Sequence, residues 1–241
     1  MQRRREMMNY NQCIIVYSLR WPETCAIAGL YAHISPKTHI MTCFSPEELV
    51  ELLSEYTTAP VILGIHPHES VFLISLLGPY LQHRPVLFFG QKFNYADRMI
   101  PLYFLIGNII FYPWKDKSLI QTQMMLSDFI RVKSTNKKIQ HHRTVSSEMS
   151  SADELIYHLN GYLYQMFSHH GLEEQSGIIL IMLSHGLSAK RIATLLNIST
   201  RNVSVHKYKG LALLGIETGS YNIYRGILVR ITLQQYSFER K

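Results

Sequence analysis

Five short apolar runs between residues 13 and 113 constrain the fold of this chain more than any other feature. Each run is nearly continuous in aliphatic and aromatic residues, which is typical of parallel strands covered on both faces. Segments with helical periodicity separate the runs. The predicted strands are 13–18, 39–44, 59–65, 85–90 and 108–113, and the predicted helices are 22–34, 46–56, 69–81, 93–105 and 117–131. Five βα units predict a flavodoxin-like α/β domain with an open, doubly wound sheet over residues 1–131.

The positive charge is concentrated in the second half of the chain. The formal net charge is +7 at pH 7, of which residues 132–241 carry +6 and residues 1–131 carry +1. Lysines and arginines bind phosphates by releasing counterions, without any recognition of sequence. A polyanionic partner is therefore expected, and nucleic acid is favoured over a membrane.

The cysteines and the apolar stretches indicate the cellular compartment in which the protein is expected. Cys13, Cys25 and Cys43 form no CxxC pair and no zinc-ligand spacing, so we expect buried thiols in a reducing compartment. The longest apolar stretch, 103–113, has about half of the roughly 20 residues that a membrane-spanning helix needs. The basic start of the chain is not followed by a signal-peptide core. We expect a cytoplasmic protein without a membrane segment, associated with the nucleoid when bound to DNA.

A polar segment separates two predicted domains. Residues 132–150 contain three scattered aliphatic residues and no period, which predicts a linker. Ser151 and Glu154 then form a capping box ahead of an apolar stripe that ends at Phe167. This pattern predicts a helix of about four turns at the start of a C-terminal domain over residues 151–241.

Four helices with short connections are predicted in the C-terminal domain. Gly186 ends the first, Ser188 caps the second, and Ser199 caps the third after a three-residue turn at 197–199. A short helix, a three-residue turn and a second helix make a helix-turn-helix, whose second helix enters the major groove of DNA. The predicted ranges are 173–184, 189–196, 200–214 and 220–231.

The pattern G-L-S-x-K-x-I-A-x-x-L-x-I-S is present at residues 186–199, followed by Val203, His206 and L-G-I at 214–216. These residues resemble the LuxR-type, also called GerE-type, helix-turn-helix domain of bacterial transcription regulators. The resemblance covers roughly the last 65 residues. The βα array in front is similar to the receiver domain of two-domain members of that superfamily. The resemblance implies a DNA-binding regulator and points to Ser204, Val205 and Tyr208 as base contacts.

The chain departs from the family pattern at four positions. Ser176 replaces a glutamate in the first helix, Asn202 replaces a threonine, Gly210 replaces an apolar residue and Leu213 replaces a lysine. Gly210 is expected to weaken the recognition helix by about 1 kcal/mol relative to alanine. This departure puts the packing of that helix in question more than the fold.

Helical geometry predicts which side of residues 200–214 faces DNA. Val203, Gly210 and Leu214 cluster on one side, which must be the core. Arg201, Val205, Tyr208 and Ala212 lie opposite, flanked by Ser204 and Lys209. Val205 offers a methyl contact to thymine, Ser204 and Tyr208 can donate or accept, and Arg201 can bind guanine or a phosphate. The predicted base contacts are Arg201, Ser204, Val205 and Tyr208, and the predicted phosphate contacts are Ser188, Lys190, Thr200, Lys207 and Lys209.

The N-terminal domain lacks the residues of a working receiver. Receivers have an aspartate at the end of the third strand, an acidic pair after the first strand for Mg²⁺, a Ser or Thr after the fourth and a lysine after the fifth. Here Gly64 or Ile65 stands at the aspartate position, no acid directly follows the first strand, and Gly90 occupies the hydroxyl position. Lys115 alone offers a match. No phosphoacceptor is predicted, and the domain is expected to be a degenerate receiver kept for interaction.

Other chemistry has little support in the sequence. His66, His68 and Glu69 lack a further histidine or cysteine at helical spacing, so a loop with a helix cap is favoured over a metal site. No nucleophile–base pair, phosphate loop or carboxylate pair is present. We therefore predict no metal, no cofactor and no enzymatic activity.

These observations predict a sequence-specific, dimeric, DNA-binding bacterial transcription regulator that aspartyl phosphorylation does not control. The predicted partners are double-stranded promoter DNA, a second subunit in a homodimer or in a heterodimer with another LuxR-type regulator, and RNA polymerase. The alternative is an auxiliary regulator that acts mainly by heterodimerising with another LuxR-type protein and binds DNA weakly by itself. The departures at Ser176, Gly210 and Leu213 motivate this alternative.

Overall fold

The computed structural model describes residues 12–131 and 151–236. These residues form two compact units, one made of 12–66, 75–92 and 105–131 and the other of 67–74, 93–104 and 151–236. The predicted linker, 132–150, lies outside the described residues. Each unit is thus assembled from segments that are separated in the sequence.

A five-stranded parallel sheet with the order β2-β1-β3-β4-β5 is the framework of the first unit. This strand order is that of a flavodoxin-like sheet and confirms the predicted α/β fold. All five strands begin and end within two residues of the predicted positions. They are β1 (Gln12–Ser18), β2 (Thr38–Cys43), β3 (Val61–Gly64), β4 (Val86–Gly90) and β5 (Ile109–Pro113).

Ten helices accompany the strands in the described part of the chain. Five alternate with the strands and five follow them, as predicted. In chain order they are α1 (Trp21–Ile34), α2 (Pro46–Glu55), α3 (Val71–Leu81), α4 (Tyr95–Tyr103), α5 (Leu119–Ile130), α6 (Ala152–His169), α7 (Glu174–Ser184), α8 (Ala189–Leu196), α9 (Thr200–Leu214) and α10 (Ser220–Gly226). None of these helices has both the length and the apolarity that crossing a membrane requires.

Apolar side chains from β1, β3, β4, α1 and α5 form a core in the first unit. Tyr31 crosses this core, and its hydroxyl donates to the carbonyl oxygen of Leu126 at 2.8 Å. Burial raises the pKa of Tyr31. The strands are therefore covered by helices as their continuous apolar runs predict.

The expectation of buried thiols is correct for Cys43 and wrong for Cys25. Cys43 is buried in β2, and burial raises the pKa of its thiol to about 12. Cys25 is exposed because α1 buries Thr24, Ile27 and Tyr31, which lie on one face of the helix. Apolar neighbours in the sequence do not bury a residue on the opposite face.

The last predicted helix is shorter than expected. The sequence predicts one helix over residues 220–231, but α10 ends at Gly226. Ile227, Leu228 and Val229 are all buried, and a one-sided helix cannot bury three successive side chains. The backbone of Val229 is instead held by the side chain of Asn160, with its N–H donating to Oδ1 at 2.8 Å and its carbonyl accepting from Nδ2 at 3.1 Å.

A cluster of buried polar side chains lies in the second unit. His68 and Glu69 belong to a short 3-10 turn, Pro67–Glu69, and both are buried. His68 Nδ1 lies 2.7 Å from Oδ1 of the buried Asp97, and Glu69 forms an ion pair with Arg225. The segment predicted to be a loop with a helix cap is thus a packed turn whose side chains contact Asp97 and Arg225.

Candidate nucleic-acid interface

Serine caps set the starts of the two helices of the helix-turn-helix. Ser188 Oγ accepts from the N–H of Arg191 at 3.3 Å, and Ser199 Oγ accepts from the N–H of Asn202 at 3.1 Å. Asn197 ends α8 in the left-handed region with φ 51°, a conformation that asparagine tolerates better than most residues. Both helices therefore have the bounds that the sequence predicts.

The two helices share a core with α7. Ile179, Ile192, Ala193 and Val203 are buried together in this cluster. One face of each helix thus packs inward, which leaves the opposite face of α9 available to a partner.

Gly210 allows α9 to approach α7 closely. A Cβ atom at this position would lie 2.8 Å from Leu180 Cδ1 and 3.2 Å from Leu172 Cδ1. Leu180 is fully buried, so it has little freedom to move away. The glycine thus makes room for core side chains, in addition to its expected cost in helix propensity.

The predicted base contacts lie on the outer side of α9. Arg201 is exposed, and the side chains of Val205 and Tyr208 are 56% and 57% exposed. Ser204 is half-buried, and its hydroxyl donates to the carbonyl oxygen of Thr200 at 3.1 Å. The hydroxyl of Ser204 keeps its lone pairs for a further donor, whereas its proton is engaged inside the helix.

The predicted phosphate contacts differ in their surroundings. Ser188, Lys190 and Thr200 are exposed in the first turns of α8 and α9 or at their caps, where backbone N–H groups also favour anions. Lys207 Nζ lies 5.5 Å from the ring centroid of Tyr208. Lys209 Nζ lies 2.5 Å from Oε1 of Glu173, and this contact lowers the pKa of Glu173. Of the five, Lys209 is the one whose charge an acid already neutralises.

Two further residues bear on the interface and were not assigned roles from the sequence. Ser176 is buried, and its Oγ lies 2.9 Å from Nδ1 of His206 in α9. Arg191 is exposed next to Lys190. In the sequence, the adjacent Lys190 and Arg191 indicate a second cation on α8. The contact between Ser176 and His206 joins residues 30 positions apart, so no local sequence pattern indicates it.

The last residue of β3 is a glycine with closely packed surroundings. β3 ends at Gly64, and a Cβ there would lie 2.8 Å from Ser18 Cβ and 3.3 Å from Glu23 Cδ. Ser18 Oγ fills this space and lies 2.6 Å from Glu23 Oε2 and 2.9 Å from the carbonyl oxygen of Gly64. Gly90 ends β4, and Lys115 is exposed after β5.

Comparison with known proteins agrees with this architecture. Residues 175–217 match the family of bacterial regulatory proteins named luxR. The chain is similar to the two-component response regulator RcsB in a complex with DNA, with 14% identity, a TM-score of 0.57 and coverage of 89% of this chain and 96% of that chain. A search of curated proteins by sequence found no match.

Two other structures of RcsB show a comparable likeness. RcsB from Salmonella enterica serovar Typhimurium bound to the promoter rprA is 14% identical, with a TM-score of 0.54 and coverage of 90% of this chain and 98% of that chain. A structure of two RcsB dimers bound to two parallel DNAs is 15% identical, with a TM-score of 0.55 and coverage of 89% and 96%. The chain has a receiver-like α/β fold followed by a LuxR-type helix-turn-helix domain.

Proposed function

We propose that this chain, whose residues 175–217 form a luxR-family helix-turn-helix domain, is a dimeric transcription regulator that binds promoter DNA in a sequence-specific manner. The exposed face of α9 is the observation that carries the proposal. It presents a cation, a methyl-bearing side chain and a phenol at Arg201, Val205 and Tyr208, and these groups suit base edges in the major groove. Ser188, Lys190, Thr200, Lys207 and Lys209 are assigned to phosphates.

The receiver-like domain, residues 1–131, acts in this proposal without aspartyl phosphorylation. The packing at Gly64 supports this, because Ser18 occupies the space that an aspartate side chain at that position needs. Glu23 is the carboxylate beside this space, and one carboxylate is a poor site for Mg²⁺ and a phosphoryl group together. Acetyl phosphate is therefore expected to leave the mass of the intact chain unchanged.

The direct test is selection of duplex DNA from a random pool by the full chain, followed by affinity measurement on the selected site and on a scrambled site. Tyr208→Ala and Val205→Ala are each expected to reduce the preference between the two sites by about 1–3 kcal/mol. Tyr157→Ala is the matched control, because Tyr157 is an exposed tyrosine on α6. It should leave the preference unchanged.

Two results would contradict the proposal. Selection that enriches no sequence would exclude specific recognition by the chain alone. Loss of preference in Tyr157→Ala, with normal preference in Tyr208→Ala, would assign base contact to a different surface.

The second candidate function is an auxiliary regulator that binds DNA mainly as a heterodimer with another LuxR-type protein. An exposed apolar patch on α5, formed by Leu119, Ile120 and Met124, favours a protein partner. In this case, specific DNA binding would require a second luxR-family regulator, for which purified RcsB is a suitable probe. Full affinity without any addition would reject this candidate.

A further inference from the structure

A cavity of about 180 Å³ lies at the carboxyl ends of the strands in the first unit. Its walls come from the segments that follow β1, β3, β4 and β5, and they include Arg20, Glu23, Gly64, Gln91 and Trp114. The chain passes from β1 to β2 toward one edge of the sheet, and from β3 through β4 to β5 toward the other edge. Ligands of open α/β sheets bind in the crevice at such a switch point, so the cavity stands where this fold takes a ligand.

The charged groups of the cavity form one pair of opposite sign. Arg20 Nη2 lies 3.4 Å from Glu23 Oε2, and Ser18 Oγ donates to the same oxygen at 2.6 Å. The pair leaves most N–H groups of the guanidinium and the second carboxylate oxygen for other partners. A ligand that carries both charges matches this wall better than an anion or a cation.

Two aromatic side chains, Trp114 and Phe89, also line the cavity and supply an apolar surface beside these polar groups.

We propose that this cavity binds a small zwitterion of the α-amino-acid class. The carboxylate of the ligand pairs with Arg20, its ammonium group pairs with Glu23, and its side chain contacts the aromatic wall. This binding does not depend on the proposed DNA-binding function.

The two tryptophans of the chain, Trp21 and Trp114, make the test direct. Trp21 is exposed, and Trp21→Phe leaves Trp114 as the only tryptophan in the full chain. Its emission is titrated with L-alanine and L-valine, and with sodium acetate and methylammonium chloride at matched ionic strength. A saturable change with at least one amino acid, and none with acetate or methylammonium, is the expected result.

Arg20→Gln in the Trp21→Phe background should weaken amino-acid binding by about tenfold or more, because a charged hydrogen bond is lost. Arg131→Gln is the matched control. The Arg131 side chain is 77% exposed and pairs with Asp128 three residues away, much as Arg20 is 79% exposed and pairs with Glu23. No saturable change with either amino acid, an equal response to acetate, or equal weakening in both arginine variants would overturn the proposal.

Discussion

The end of β3 and the middle of α9 each carry a glycine where a side chain is expected, and in both places neighbouring side chains occupy the space. At Gly64 the neighbour is Ser18, whose Cβ lies 2.8 Å from the position of a Cβ. At Gly210 the neighbours are Leu180 and Leu172. Both glycines therefore have the same local cause, which is the close approach of a second helix or strand.

The consequences for the two regions differ. At the end of β3 the missing side chain would point toward Ser18 and Glu23. In α9 the missing side chain faces the core, and the outer face keeps Arg201, Val205 and Tyr208 exposed. The effect of a glycine in place of a larger residue thus depends on the direction in which the larger side chain would point.

The largest expected effect is at the end of β3. Gly64→Asp should lower the free energy of unfolding by about 3 kcal/mol, because the new side chain overlaps the buried Ser18 and places a second negative charge beside Glu23. Urea unfolding measures this change. Gly29→Asp is the control, since Gly29 is an exposed glycine in α1 with no atom near its Cβ position. Unchanged stability in Gly64→Asp would mean that packing does not exclude an aspartate side chain at this position.

A smaller effect is expected in α9. Gly210→Ala gains about 1 kcal/mol of helix propensity, but overlap with buried leucines costs roughly 1–3 kcal/mol, so a net loss of about 1 kcal/mol is expected. Gly161→Ala, at an open and exposed position inside α6, should instead stabilise the chain by about 1 kcal/mol. Opposite signs in thermal unfolding would support the comparison. Stabilisation by both substitutions would show that Leu180 and Leu172 can move to accept a methyl group at position 210.

The smallest effect concerns Lys209 and Glu173. Lys209→Ala should weaken binding to all DNA sequences alike and reduce the salt dependence by about one unit of slope. Glu173→Gln should strengthen binding to all sequences, because it releases the lysine from its ion pair. Affinity measured over a range of salt concentrations tests both, with Lys37→Ala as an exposed control. A change in sequence preference alone in Lys209→Ala would show that this lysine contacts bases.

The sequence predicted best those elements whose signals are local. The strands appear as continuous apolar runs, and α8 and α9 begin at Ser188 and Ser199, whose caps involve residues three positions away. The exposed side of α9 also follows from periodicity alone. These features need no knowledge of distant contacts.

The features that sequence reasoning missed depend on contacts between distant residues. His68 pairs with Asp97, 29 residues along the chain, and Leu180 approaches Gly210 from another helix. The α10 helix ends early because the following segment binds Asn160 in α6. Propensity and periodicity carry no information on which distant side chain arrives at a given position.

The contacts of α4 have a consequence for dividing the protein into fragments. Arg98 Nη2 donates to the carbonyl oxygen of Leu214, the last residue of α9, at 2.6 Å, and the hydroxyl of Tyr95 donates to the carbonyl oxygen of Leu163 at 2.7 Å. A fragment that starts at residue 151 keeps the whole helix-turn-helix but loses both donors. Its α9 would end without the cation that complements the negative end of the helix, so truncation removes part of the compact unit as well as the sheet.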